Sequence, residues 1–189
     1  MNPSNEFFIV VDIEAAGPIP GEFAMLSLGA ATLTDPQETF YIELQPDSEA
    51  FLPDALAVSG LSMQDLAMKG TPPRDAMDEF ARWVVAVSPP DQKPVFTAFN
   101  APFDWMFVNA YFHRYLSYNP FGHKALDIKA LFMGLHQVPF GKTSHHYVCE
   151  HYNLKTTLSH HALEDAIQEA QLLKLILDEQ QNTIGKEKK

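Results

Sequence analysis

The order of hydrophobic segments predicts an α/β fold, one mixed sheet with helices packed against it. Three observations carry this reading. Three β-patterned runs follow one another in the first quarter of the chain, one helix-patterned segment then precedes a fourth strand, and the remainder reads as mostly helical. With 189 residues the chain can bury one sizeable core. No repeat or linker divides it, so a single domain over 1–182 with a flexible, lysine-rich tail at 183–189 is expected.

The first strand, over 7–13, is apolar on both alternating faces until its carboxylates begin, the pattern of a central strand covered on both sides. Strands over 24–33 and 38–44 follow. The turn residues between Gly17 and Gly21 and at Asp35-Pro36 separate them, which predicts a three-strand meander. Pro72-Pro73 opens a helix over 75–87 whose apolar stripe is Met77, Phe80, Ala81, Val84 and Val85. A short strand over 95–99 comes after Pro89-Pro90. The next helix, over 102–115, has Asn100 as a candidate cap and Pro102 suited to its first turn. Further helices are expected over 127–136, 142–152 and 162–180.

Composition narrows the function. The chain has 13 basic and 24 acidic residues, a net charge of −11, so no broad cationic surface can hold long nucleic acid by charge alone. Cys149 is the only cysteine, which excludes an internal disulfide framework and suggests a reducing compartment. The apolar run at 7–11 has no basic lead-in and is too short for a signal core or a membrane span, so a cytoplasmic protein with no membrane partner is expected.

Asp12-Ile-Glu14 places two carboxylates on one face of the first strand, because side chains alternate with period two. The pattern alone is weak. Twelve Asp and twelve Glu produce about one such pair by chance, and the chain has a second, Asp47-Ser-Glu49, in a segment that reads as a surface loop. Context separates them. Asp12 and Glu14 extend a buried strand, and no Lys or Arg precedes Lys69. Buried carboxylates are costly unless they are paired or bound to metal, so a divalent cation is the natural partner. Asp104 falls in the first turn of a helix that follows directly on a strand, where the helix dipole alone favours an acid. Asp165, early in the last helix, aligns with Leu172 and Ile176 at helical spacing, and His160 lies just before that helix. Three carboxylate segments and an imidazole are the parts of a hard-metal site with a general base.

On these residues the chain resembles the DnaQ-like, or DEDDh, 3′–5′ exonucleases of ribonuclease-H-like fold. Asp12 and Glu14 match the family's Asp-x-Glu, Asn100 to Asp104 its Asn-Ala-x-Phe-Asp, and His160 to Ala166 its His-x-Ala-Leu-x-Asp-Ala. Val58-Ser-Gly-Leu61 is similar to the family's Ile-His-Gly-Ile segment, and 125–131 to the start of a later helix. Three departures stand out. Ala15-Ala16-Gly17 replaces the usual Thr-Thr-Gly, Ser27 stands where an acid is common, and Phe99 where a His is common. A sister class with Tyr uses the shorter spacing that His161 would satisfy; the spacing of His160 is that of the His class.

The resemblance implies a ribonuclease-H-like mixed sheet and a metal-dependent 3′–5′ exonuclease. Asp12, Glu14, Asp104 and Asp165 would hold two Mg²⁺ or Mn²⁺ ions, with His160 as general base. Single-stranded RNA or DNA 3′ ends would be the substrate, contacted by Ala15, Ala16, Gly17, Asn100 and Phe103, and many relatives pair as homodimers. The rival reading is a non-catalytic module that binds 3′ ends or a partner; the presence of all five motif residues argues for the enzyme. His145, His146, Cys149 and His151 match no standard zinc spacing and read as solvent-facing histidines of an amphipathic helix. Asp127 reads as a helix cap.

Overall fold

A computed structural model describes residues 5–154 and 158–187. Its five-stranded sheet has the order β3-β2-β1-β4-β5. The strands are β1 (Glu6–Ala15), β2 (Met25–Thr32), β3 (Thr39–Glu43), β4 (Lys93–Ala98) and β5 (Ala125–Asp127). β1 is the middle strand, antiparallel to β2 and parallel to β4, while β3 and β5 extend the sheet at its two edges. The helices are α1 (Pro53–Ser59), α2 (Met63–Lys69), α3 (Pro73–Val87), α4 (Pro102–Tyr115), α5 (Ile128–His136), α6 (His145–His151) and α7 (Ala162–Glu187). The expected mixed sheet flanked by helices is present.

The alternation of β1 divides the core. Ile9, Val11 and Ile13 pack on one face with Met77 and Phe80 of α3 and Phe107 and Phe112 of α4. Phe8 and Val10 face the other way, against Phe132 of α5, Val148 of α6 and Leu172 and Ile176 of α7. Period two then puts Asp12 and Glu14 on the α7 side.

β2 makes room for α7. Asp12 pairs with Gly29 and Glu14 with Ser27, so the β2 residues beside the two acids are small. A Cβ at Gly29 would overlap the backbone of Ala162 and Leu163. The first turn of α7 therefore lies directly on β2, which no larger residue would allow.

Several expectations are corrected. α1 and α2, each seven residues, are not legible in the pattern; α1 buries no residue and neither is long enough to show a stripe. β5, at three residues, reads as the start of the following helix; Asp127 does cap α5, accepting from the Lys129 and Ala130 N–H groups. Val85 is exposed, and Ala76 takes its place in the buried stripe of α3. Asn100 makes no side-chain cap of α4: Ala101 is the N-cap residue, and Asn100 sits in the left-handed region at φ 64°. α7 runs through Glu187, past the expected end at Gln180 and into the segment expected as tail, since no proline interrupts it. The surface loop expected at Asp47 is present, with Asp47 exposed in it. Asp47 accepts from Tyr111 Oη at 2.6 Å, Tyr115 Oη at 2.6 Å and Arg114 Nη1 at 2.9 Å, tying its loop to α4.

Gly29→Ala is expected to destabilise the fold by about 1–3 kcal/mol through overpacking. Gly134, in α5 with open space around its Cα, is the control: Gly134→Ala should stabilise by about 0.5–1 kcal/mol. Thermal unfolding of both variants checks this, and equal effects of the two would contradict the close approach at Gly29.

Candidate active site

The site forms where β1 outruns its parallel neighbour. The last register pair of β1 with β4 is Val10–Thr97, so the Ile13 N–H lies beyond the ladder. Asp104 takes it, its Oδ1 accepting at 3.2 Å from the first turn of α4. Asp104 is buried, and this bond holds it within electrostatic reach of Asp12 and Glu14. The carboxyl ends of parallel strands are where α/β folds commonly place their sites.

Asp165 arrives on α7. It is buried and accepts three bonds, from the Ser159 N–H at 2.8 Å, Ser159 Oγ at 3.0 Å and the His160 N–H at 2.9 Å. These bonds turn the incoming segment over the helix start and accompany a left-handed His160, at φ 54°. Ligand atoms of Glu14, Asp165 and His160 lie within 4.8 Å of one another. His161 goes elsewhere: its ring stacks on Tyr41, with centroids 4.6 Å apart.

Glu169, one turn beyond Asp165 on the same face of α7, is a residue that motif reasoning misses. It is buried, and its Oε2 accepts the Phe99 N–H at 3.0 Å, at the junction from β4 towards α4. The signal was available as an acid between Ala166 and Ala170, two positions of the buried stripe.

Burial, with neighbouring like charges second, raises Asp12, Glu14, Asp104 and Glu169. Burial pushes Glu14 up to about 7, with Asp165 adding. Burial also lifts Asp104 to about 8, while the Ile13 N–H pulls the other way and Glu14 and Asp127 add to the rise. Asp12 is raised by burial and then by Asp104, Glu169, Glu14 and Asp165. Glu169 is raised by burial and then by Asp104, against the pull of the Phe99 N–H. Among the described residues, the Lys and Arg ion pairs lie at Asp47, Asp65 and Asp78, and none reaches this cluster. An all-oxygen donor set with unbalanced negative charge fits a hard divalent cation.

The expected substrate contacts are less uniform. Ala16 is fully buried, its N–H donating to Ala24 O and its carbonyl accepting from the Leu52 N–H, both at 2.8 Å. Its neighbours Ala15 and Gly17 are buried as well. The ring of Phe103 is half-buried and packs on Phe107 at 5.5 Å. Asn100 is exposed at the rim, with Lys129 Nζ 3.5 Å from its Oδ1.

The exonuclease family model RNase_T matches residues 9–173. The chain belongs to the RNase_T exonuclease family. It is similar to the 3′-5′ DNA exonuclease Cap18 of Escherichia coli, 43% identical over 176 residues, covering 93% of this chain and 94% of that protein. Among solved structures, the nuclease domain of 3′hExo, a DEDDh family member bound to rAMP, superposes with a TM-score of 0.76 at 15% identity, over 94% of this chain and 95% of that one. Escherichia coli Exonuclease I in complex with a dT13 oligonucleotide superposes with a TM-score of 0.75 at 15% identity, over 95% of this chain and 43% of that one. At such identity these two likenesses concern the fold. Among the described residues no helix is long and apolar enough to cross a membrane.

The raised acids give metal-free protein a defined pH dependence. A carboxyl whose folded pKa exceeds its unfolded one keeps a proton that the unfolded chain has released, so stability falls as pH rises between the two values. For Glu14, from 4.5 to about 7, and Asp104, from 3.8 to about 8, that window spans pH 4 to 8. In chelator-treated protein Tm should therefore fall from pH 5 to pH 8, and Mg²⁺ should raise it more at pH 8. Asp104→Asn keeps an acceptor for Ile13 and removes a charge; at pH 8 it should raise the metal-free Tm by about 2–4 °C, the equivalent of about 1 kcal/mol. A flat metal-free profile would refute the crowding.

Proposed function

We propose that the chain is a metal-dependent 3′–5′ exonuclease that hydrolyses the terminal phosphodiester of single-stranded nucleic acid, with DNA as its preferred polymer. The observation that carries this is the convergence of Asp12, Glu14, Asp104, Asp165 and His160, from three separated segments, at the end of the central strand. Membership of the family supports the activity, and the name of the relative at 43% identity supports DNA and the polarity.

Asp12, Glu14, Asp104 and Asp165 would hold two Mg²⁺ or Mn²⁺ ions. When bound, such ions lower the pKa of a coordinated water and offset charge on the phosphodiester. The rest falls to the chain. Ile13 and Phe99 fix Asp104 and Glu169 through backbone N–H groups, and Ser159 and the His160 backbone fix Asp165. His160 is exposed beside Glu14 and Asp165, so its imidazole can take the proton of the attacking water and release it to solvent. The net charge of −11 suits a short or frayed 3′ end better than a long duplex. Lys129, near Asn100 and 4.5 Å from the centroid of the exposed Phe140 ring, supplies a cation and an aromatic face at the rim.

Purified protein incubated with 5′-labelled single-stranded DNA or RNA should shorten the strand from its 3′ end with Mg²⁺ or Mn²⁺. Shortening should stop with EDTA or in Asp12→Asn, and DNA should be cut faster. 3′-end binding with no cleavage of either polymer would instead assign a binding module. His160→Gln should lower the rate about 10²–10⁴-fold with metal affinity little changed, while His161→Gln should stay close to wild type. Equal losses in the two variants would remove His160 from the role of base.

A further inference from the structure

A second group of metal-ligating side chains lies well away from the acidic cluster. His136 ends α5, His151 ends α6, and Glu179 projects from α7. One ligand atom of each lies within 4.8 Å of the other two. At 1.5 Å per residue, Glu179 sits about 21 Å along α7 from Asp165, so the two groups cannot share an ion. We propose that His136, His151 and Glu179 form a second metal site, for a borderline ion of the Zn²⁺ class, which ties α5, α6 and α7 together.

Ligand type and spacing both favour that class. Two imidazoles and one carboxylate are an established zinc donor set, with a fourth position left to water, whereas Mg²⁺ prefers oxygen alone. Zinc–ligand bonds of about 2.0–2.1 Å in a tetrahedron separate neighbouring ligand atoms by about 3.3 Å. His136 Nε2 and Glu179 Oε2 are 3.5 Å apart. The His151 ring is 4.4 Å from that of His136, centroid to centroid, and being exposed at a helix end it can close the remaining gap by a rotamer change.

The surroundings are those of a supported site. Tyr152 Oη donates to Glu179 Oε2 at 2.7 Å, which orients the carboxylate as outer partners of metal ligands do. Phe132 packs against His136, with centroids 4.4 Å apart, and limits its motion, while its contact with the exposed His151 ring is longer, at 5.4 Å. Tyr152 also lies 3.1 Å from His136 Nε2. A bridge through its hydroxyl could satisfy His136 and Glu179 without an ion, but it makes no use of the His151 ring nitrogens, one of which lies within 4.8 Å of both. Nothing in the proposal depends on the nuclease reading.

The test is zinc binding to the full chain in which Asp12→Asn and Asp165→Asn have disabled the acidic cluster. After equilibration with Zn²⁺ and dialysis, elemental analysis should find one zinc per chain, and excess Mg²⁺ should not displace it. His151→Ala and Glu179→Gln, both at exposed side chains, should each abolish retention or weaken it at least tenfold, and Tyr152→Phe should weaken it about tenfold. His136→Ala should do the same if it folds, which circular dichroism checks. Zinc that is absent from the disabled protein, or retained unchanged in His151→Ala and Glu179→Gln, would overturn the site.

Discussion

The hydrogen bond from the Ile13 N–H to Asp104 joins the central strand to α4 where β1 passes the end of β4, and the acidic cluster is organised around it. With no Lys or Arg ion pair there among the described residues, the acids are held by dipoles: Ile13 on Asp104, Phe99 on Glu169, Ser159 and His160 on Asp165. A backbone N–H fixes the position of a carboxylate without cancelling its charge. Side-chain cations would satisfy these acids and leave nothing for a metal to do. Donors that orient the acids and leave them mutually repelling suit a site that a divalent cation completes.

The same economy governs the sheet beneath. Ser27 and Gly29 lie beside Glu14 and Asp12 in the β1–β2 ladder, and the missing side chain of Gly29 lets the backbone of Ala162 and Leu163 come down on β2. That approach brings Asp165 to the acids of β1 and sets Glu169 one turn deeper. Packing of the α7 stripe on Val10 and Ala31 then fixes the depth of the helix. Stability and site geometry therefore rest on one contact, and the small residue that costs core burial at Gly29 is what positions the ligand.

α7 links the two groups of ligating side chains but gives them different chemistry. Near its start the donors are carboxylates from β1 and α4, an oxygen set. Further along, Glu179 meets two imidazoles from the ends of α5 and α6, a nitrogen-rich set. Hard and borderline cations would sort between them by ligand type, although both groups draw an acid from the same helix.

Much of this was legible in the sequence. The β1 pattern, the bounds of α4, the one-face geometry of Asp12 and Glu14 and the order of the three motifs all follow from side-chain periodicity and spacing, which are local properties of the chain. Tertiary structure decided the rest. It tied the loop acid Asp47 to Tyr111, Tyr115 and Arg114 of α4, and it gave Asn100 a left-handed backbone in place of a capping role. It placed His160 beside Glu14 and Asp165 and stacked its neighbour His161 on Tyr41. It also drew Glu169 into the acidic cluster and gathered His136, His151 and Glu179 from three helices. Periodicity fixes which way a side chain leaves its own element. Which other atoms it meets, and whether water reaches it there, depends on how distant elements pack.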